Sequence, residues 1–133
     1  MLLITDGEDR GSYYHRDAAI EAAQRADTII YSIYYVDPRV YQQRGSGQMH
    51  GPDDLRRMSE ETGGRVFTVD KKHTLQNVFS DIQNEMRSQY SLAYKPSGQA
   101  AHGDYHQIEV RTKSPDYQVQ TRKGYYSRQA KAS

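Results

Sequence analysis

The sequence predicts an α/β fold: a mostly parallel, Rossmann-like, doubly wound sheet with crossover helices, followed by a C-terminal antiparallel β-hairpin. Three observations predict it. Apolar runs of strand length alternate three times with stretches of helical periodicity between Leu2 and Gln89, the arrangement of a parallel sheet joined by crossover helices. The run Thr28–Val36 is nearly continuous in β-branched and aromatic residues, as in a strand covered on both faces. After Gln89 the period falls to two, with residues 105–113 and 117–122 flanking Ser114-Pro115-Asp116, which reads as a hairpin.

The 133 residues suffice for one domain. Only 35% of them are apolar and the mean hydropathy is −0.98, so the core is thin. Charged residues make up 26% but nearly cancel, to a net charge of +1, and 12 tyrosines supply large half-polar rings. That is not the composition of a disordered chain. The absence of cysteine excludes disulfides, thiolate ligands and cysteine nucleophiles. No run approaches the roughly 20 apolar residues of a membrane-spanning helix. Met1-Leu2-Leu3-Ile4 lacks the basic segment of a signal peptide.

Taken in order, Leu2–Thr5 reads as a buried strand ending in the turn Asp6-Gly7. Residues 6–14 form a polar loop. From about His15 to Ala26, Ala19, Ala22, Ala23 and Ala26 mark one face of a helix. Asp37-Pro38 closes the strand Thr28–Val36, and a long polar loop with Gly45, Gly47 and Gly51 follows. Pro52, Asp53 and Asp54 open the next helix, Leu55, Met58 and Thr62 give it a face, and Gly63-Gly64 stops it. Val66–Val69 is a strand. Thr74 caps a helix to about Gln89 whose stripe is Leu75, Val78, Phe79, Ile82 and Met86. Tyr90–Lys95 reads as a strand closed by Pro96-Ser97-Gly98, and the tail from residue 127 is expected to fray.

Little in the sequence carries catalytic chemistry. Asp6, Glu8 and Asp9 are hard oxygen donors at the end of a strand, suited to Mg²⁺ or Ca²⁺; from these residues alone, a polar turn in which aspartate caps its own backbone is the better account. His15, His50, His73, His102 and His106 have no zinc spacing. Ser12, His15 and Asp17 lack the strained elbow of a nucleophile. Gly45-Ser46-Gly47 has no Gly-Lys-Ser/Thr after it, so it is no phosphate loop. Residues 1–70 carry 8 basic against 12 acidic side chains and residues 71–133 carry 10 against 5. The basic half, interleaved with tyrosine, raises nucleic-acid binding as an alternative that solvated sheet faces explain as well.

Leu3-Ile4-Thr5-Asp6-Gly7, followed by Glu8-Asp9, resembles the Thr-Asp-Gly strand end of von Willebrand factor A domains. Glu61-Thr62-Gly63-Gly64 before a strand fits the same family. Arg87-Ser88-Gln89-Tyr90-Ser91-Leu92, Tyr94, Pro96 and Arg122-Lys123-Gly124-Tyr125-Tyr126 are similar to a bacterial group of related domains described from Acidobacteria. The resemblance spans residues 2–126 and matches the C-terminal half of the family fold. It implies a truncated domain over 1–126, including the hairpin 105–122, with a disordered tail at 127–133.

The resemblance further implies a non-enzymatic, adhesion-type protein-interaction module in an exported bacterial protein, with a protein partner and no membrane segment. In the complete family fold an Asp-x-Ser-x-Ser motif, a threonine and the aspartate of Thr-Asp-Gly hold a divalent cation, usually Mg²⁺. Here only that last ligand carries over, onto Asp6, with Glu8 and Asp9 standing behind it, so Mg²⁺ binding is expected to be weak or absent. The alternatives are a metal-assisted hydrolase using Asp6, Glu8 and Asp9, and a nucleic-acid binder using the basic half. The edge of strand 2–5 is expected to promote self-association.

Overall fold

The computed structural model describes residues 1–6, 15–35, 51–97 and 101–127. Among these residues it is a mixed α/β structure: a three-stranded parallel sheet, three helices and a separate two-stranded antiparallel sheet. The parallel sheet comprises β1 (Leu2–Thr5), β2 (Tyr31–Tyr35) and β3 (Val66–Val69), in the order β1-β2-β3. Leu2 aligns with Tyr31 and Ile4 with Ile33; Ile33 in turn aligns with Phe67. Helices α1 (Arg16–Arg25), α2 (Gly51–Thr62) and α3 (Leu75–Arg87) follow the three strands in turn.

The alternation of β2 distributes the helices. Tyr31 and Ile33 point to one face, where they join Phe67 and the α3 residues Val78 and Ile82 in the core cluster. Ser32 points to the other face, where its hydroxyl lies 2.9 Å from that of Ser59 on α2. Helix α1 packs on α2, and the Gln24 amide donates to the Glu61 carbonyl at 3.0 Å.

Both α1 and α2 end in the same six-to-one motif. Thr28 N–H donates to the Ala23 carbonyl at 2.9 Å, and Gly64 N–H to Ser59 at 2.8 Å. The residue at the turn of each is left-handed, Asp27 with φ 52° and Gly63 with φ 89°. Aspartate tolerates that region better than most non-glycine residues, and glycine has no side chain to strain. At the N-terminus of α3, the Thr74 hydroxyl accepts from Asn77 N–H, satisfying one of the free donors there.

The C-terminal sheet pairs β4 (Tyr105–Gln107) with β5 (Gly124–Tyr126). It docks where α1 and α2 end. Lys123 N–H donates to the Glu61 carbonyl at 3.2 Å, and the Gln120 amide donates to Gly63 O at 3.0 Å and to Glu85 Oε1 at 2.6 Å. Arg122 pairs with Asp27, and the Arg25 guanidinium lies 4.1 Å from the centre of the Tyr126 ring.

Several expectations are corrected. Strand β2 is buried through Tyr34, as the apolar run implied, but β1 is not: Leu2 and Ile4 are exposed, and among the described residues no strand lies beyond β1. On α1 the buried residues are Ile20, Ala23 and Gln24, so of the expected alanine row only Ala23 is buried, since this helix leans on α2 and β5 and its one large apolar side chain sets the contact. On α3 only Val78 and Ile82 are buried, and Phe79 is 43% exposed. Tyr90–Lys95 forms no strand, and Tyr90 is 94% exposed. The C-terminal residues do pair antiparallel, and Ile108 N–H donates to Lys123 O at 2.8 Å. Their ladder, however, joins 105–107 to 124–126, later than the strand expected at 117–122. Ser127 is placed, its N–H donating to Asp104 O, while 128–133 lie outside the described residues.

Candidate functional site

The C-terminal end of a parallel sheet gathers the loops that leave the strands, and open α/β sheets bind ligands there. Asp6 follows β1 at this end and is exposed; Tyr35 closes β2, also exposed; Asp70 follows β3. Asp6 and Asp70 leave strands separated by β2, which sets their backbones roughly 10 Å apart. The Oδ1 of Asp70 accepts the N–H groups of Lys72 and His73, each at 2.7 Å. These two bonds stabilise the charged carboxylate and lower its pKa. The turn they build places His73 Nε2 3.1 Å from Asp81 Oδ2 on α3.

Among the described residues no group of three histidines, cysteines or acids comes together in a way that would hold a metal ion. Asp6 offers one carboxylate, and Asp70 is both distant and already committed. These residues do not make a Mg²⁺ cage, which needs near-octahedral oxygen ligation. Glu8, Asp9, Ser12, His50 and Gly45–Gly47 lie outside the described residues.

The other sequence candidates are dispersed. His15 precedes α1 without a side-chain cap, and Asp17 pairs with Arg16 at 3.3 Å. His102 is exposed at the loop before β4. His106 stacks on Tyr125, with ring centres 5.0 Å apart and planes inclined by 21°.

The tyrosines of the basic half largely contact one another. Tyr105 and Tyr126 lie 5.2 Å apart, and Tyr94 meets Tyr125 edge-on at 6.4 Å. Burial raises the pKa of Tyr105, with the Glu61 carboxylate adding to it. Arg122 sits between Asp27 and the Tyr125 ring, and Arg111 pairs with Glu109 at 2.6 Å. Of these groups, Arg122 ties the C-terminal sheet to the end of α1 through Asp27, while the others contact one another within residues 94–126.

Sequence reasoning missed the Asp70 turn and the bridging roles of Gln24 and Gln120. Asp70 carried a signal, an acidic residue closing a strand three positions before a histidine. The two glutamines carried none, because their partners, the Glu61 and Gly63 carbonyls and the Glu85 carboxylate, are distant in sequence. No family model, curated protein or solved structure matches the chain.

Proposed function

We propose that the chain is a non-enzymatic protein-interaction module of the von Willebrand factor A kind, with its docking surface at the C-terminal end of the parallel sheet around Asp6. The observation that carries this reading is the position of Asp6. It stands at the C-terminal end of a parallel β1, in a sheet with helices on both faces, which is the kind of position the resemblance assigns to the aspartate of Thr-Asp-Gly. Tyr35, exposed beside it at the end of β2, adds the kind of ring that protein interfaces favour. The doubly wound arrangement, the incomplete Mg²⁺ site and an exported bacterial origin are parts of the same proposal.

Selection of peptides from a random library against the immobilised chain tests it. Binding of the selected peptides is expected to weaken at least tenfold in Asp6→Ala and in Tyr35→Ala. Peptides that bind both variants at full strength would remove this end of the sheet as the docking surface.

A further inference from the structure

Strand β1 ends the three-stranded sheet, and no strand lies beyond it among the described residues. Leu2 and Ile4 align with Tyr31 and Ile33, which lie in the core under α3. They therefore project to the α3 face, yet they are 42% and 55% exposed. Helix α3 covers β2 and β3 and stops short of β1. Helical periodicity sets Leu75, Phe79 and Met86, all exposed, along one flank of α3, and on that flank Met86 lines a groove with Leu2, Tyr31 and Ile82. These five side chains leave on the order of 400 Å² of apolar surface bare, within the range of the largest patch on a typical monomer, which is often functional. Leu2–Thr5 has none of the lysine, proline or bulge that protects sheet edges.

We propose that this edge docks a second copy of the chain, the two β1 strands pairing antiparallel about Leu3. The strand is self-complementary in that register. Leu3 opposes the partner's Leu3, and Leu2 opposes the partner's Ile4. Opposed residues of an antiparallel pair share a face, and positions 2 and 4 have the same parity. A six-stranded sheet results, with both α3 helices on one face, flanking a floor made of Leu2 and Ile4 from each copy. A slip of one residue would send the partner's α3 to the opposite face and break that floor. Antiparallel pairing also puts the two Asp6 carboxylates at opposite ends of the junction, whereas parallel pairing would bring like charges together. The contact is two-fold and closes, so it gives a dimer rather than a fibre. Strands of four residues bury less than about 1,200 Å², so the dimer is weak and reversible. This surface does not depend on the role proposed for Asp6.

The chain contains no cysteine, so a single introduced thiol reports one contact. Opposed Cα atoms in antiparallel strands lie about 4.5–5.5 Å apart, within disulfide reach. Mild oxidation is expected to convert Leu3→Cys to a covalent dimer at least tenfold faster than Ile4→Cys, whose thiols the register holds apart, or Leu92→Cys on the exposed segment after α3. Sedimentation of the unmodified chain over roughly 1–200 μM is expected to show a reversible dimer, abolished by Ile4→Lys. Circular dichroism establishes that each variant is folded; if Leu3→Cys is not, the sedimentation comparison decides alone. A monomer across the whole range, or equal cross-linking of the three cysteine variants, would overturn the proposal.

Discussion

The hydroxyls of Ser32 and Ser59 lie 2.9 Å apart, and both residues are fully buried between β2 and α2. Just beyond them Thr62 accepts the Ile30 N–H at 3.0 Å and donates back into its own helix. A seam of small polar residues thus joins α2 to the sheet, closer than large apolar side chains would allow. Each hydroxyl satisfies the other, so removing one strands its partner in the interior. Ser59→Ala is expected to cost about 1–3 kcal/mol and Ser32→Ala a similar amount. The double variant should lose less than the sum. Additive losses in urea titrations would mean that the pair is not coupled.

Helix α3 gives a contrast between neighbours. Ile82 is buried in the core cluster while Phe79 is nearly half exposed. Ile82→Ala is expected to cost about 2–5 kcal/mol, and Phe79→Ala about 1 kcal/mol or less, despite the larger side chain removed. Thermal melting of the two variants checks the order. A larger loss from Phe79→Ala would show that its ring is covered in solution, by a second copy or by another segment.

Gly64 leaves no room for a side chain. A Cβ there would lie 1.9 Å from the Ile30 carbonyl oxygen and 2.7 Å from its carbon. Both atoms belong to the chain entering β2, so neither moves without disturbing strand pairing. Gly64→Ala is expected to cost at least about 3 kcal/mol. Gly63→Ala should cost both left-handed strain and contact with the hairpin backbone, since its Cβ would meet Arg122 N at 2.7 Å. A loss below about 1 kcal/mol at Gly64, by equilibrium denaturation, would contradict the close approach.

Asp70 makes the acid limb of stability testable. Its pKa is lowered by the His73 and Lys72 N–H bonds. The folded value therefore lies below the unfolded one, and the unfolded chain binds more protons in this range. The contribution is complete above the unfolded carboxyl range and is lost as pH falls through the folded value. The melting temperature of the unsubstituted chain should accordingly fall more steeply than that of Asp70→Asn between about pH 4 and pH 2. Parallel curves would show that this turn does not form in solution.

The alternation of strands and helices was legible because it rests on local pattern. Three parallel strands and three helices stand close to where apolar runs, caps and glycines put them, and Thr74 and Gly63 act as their types imply. The depth of burial was not legible. The stripe on α3 includes Phe79 and Met86 as fully as Val78 and Ile82, and periodicity cannot tell which part of a stripe has a sheet beneath it. Tyr90–Lys95 alternates like a strand but lacks a ladder, because pairing depends on a partner that its own residues do not specify. At the C-terminal end of the sheet, the position of Asp6 directly after β1 was legible from the apolar run before it. The Asp70 turn depends on backbone N–H groups, which have no letter in the sequence.

Cation binding at Asp6 follows from its single carboxylate among the described residues. Mg²⁺ dehydrates reluctantly and demands near-ideal octahedral oxygens, so one side-chain ligand leaves most of the shell to water and adds little free energy. The dissociation constant is expected to be about millimolar or weaker, and Asp6→Ala should change it little. Asp70 should not compensate, since its Oδ1 serves two backbone donors and release of those bonds would open the turn before α3. Calorimetric titration with Mg²⁺ at neutral pH measures this directly. A micromolar constant lost in Asp6→Ala would mean that further oxygens reach the ion, with Glu8 and Asp9 the nearest in sequence, and Glu8→Gln and Asp9→Asn would then separate their contributions.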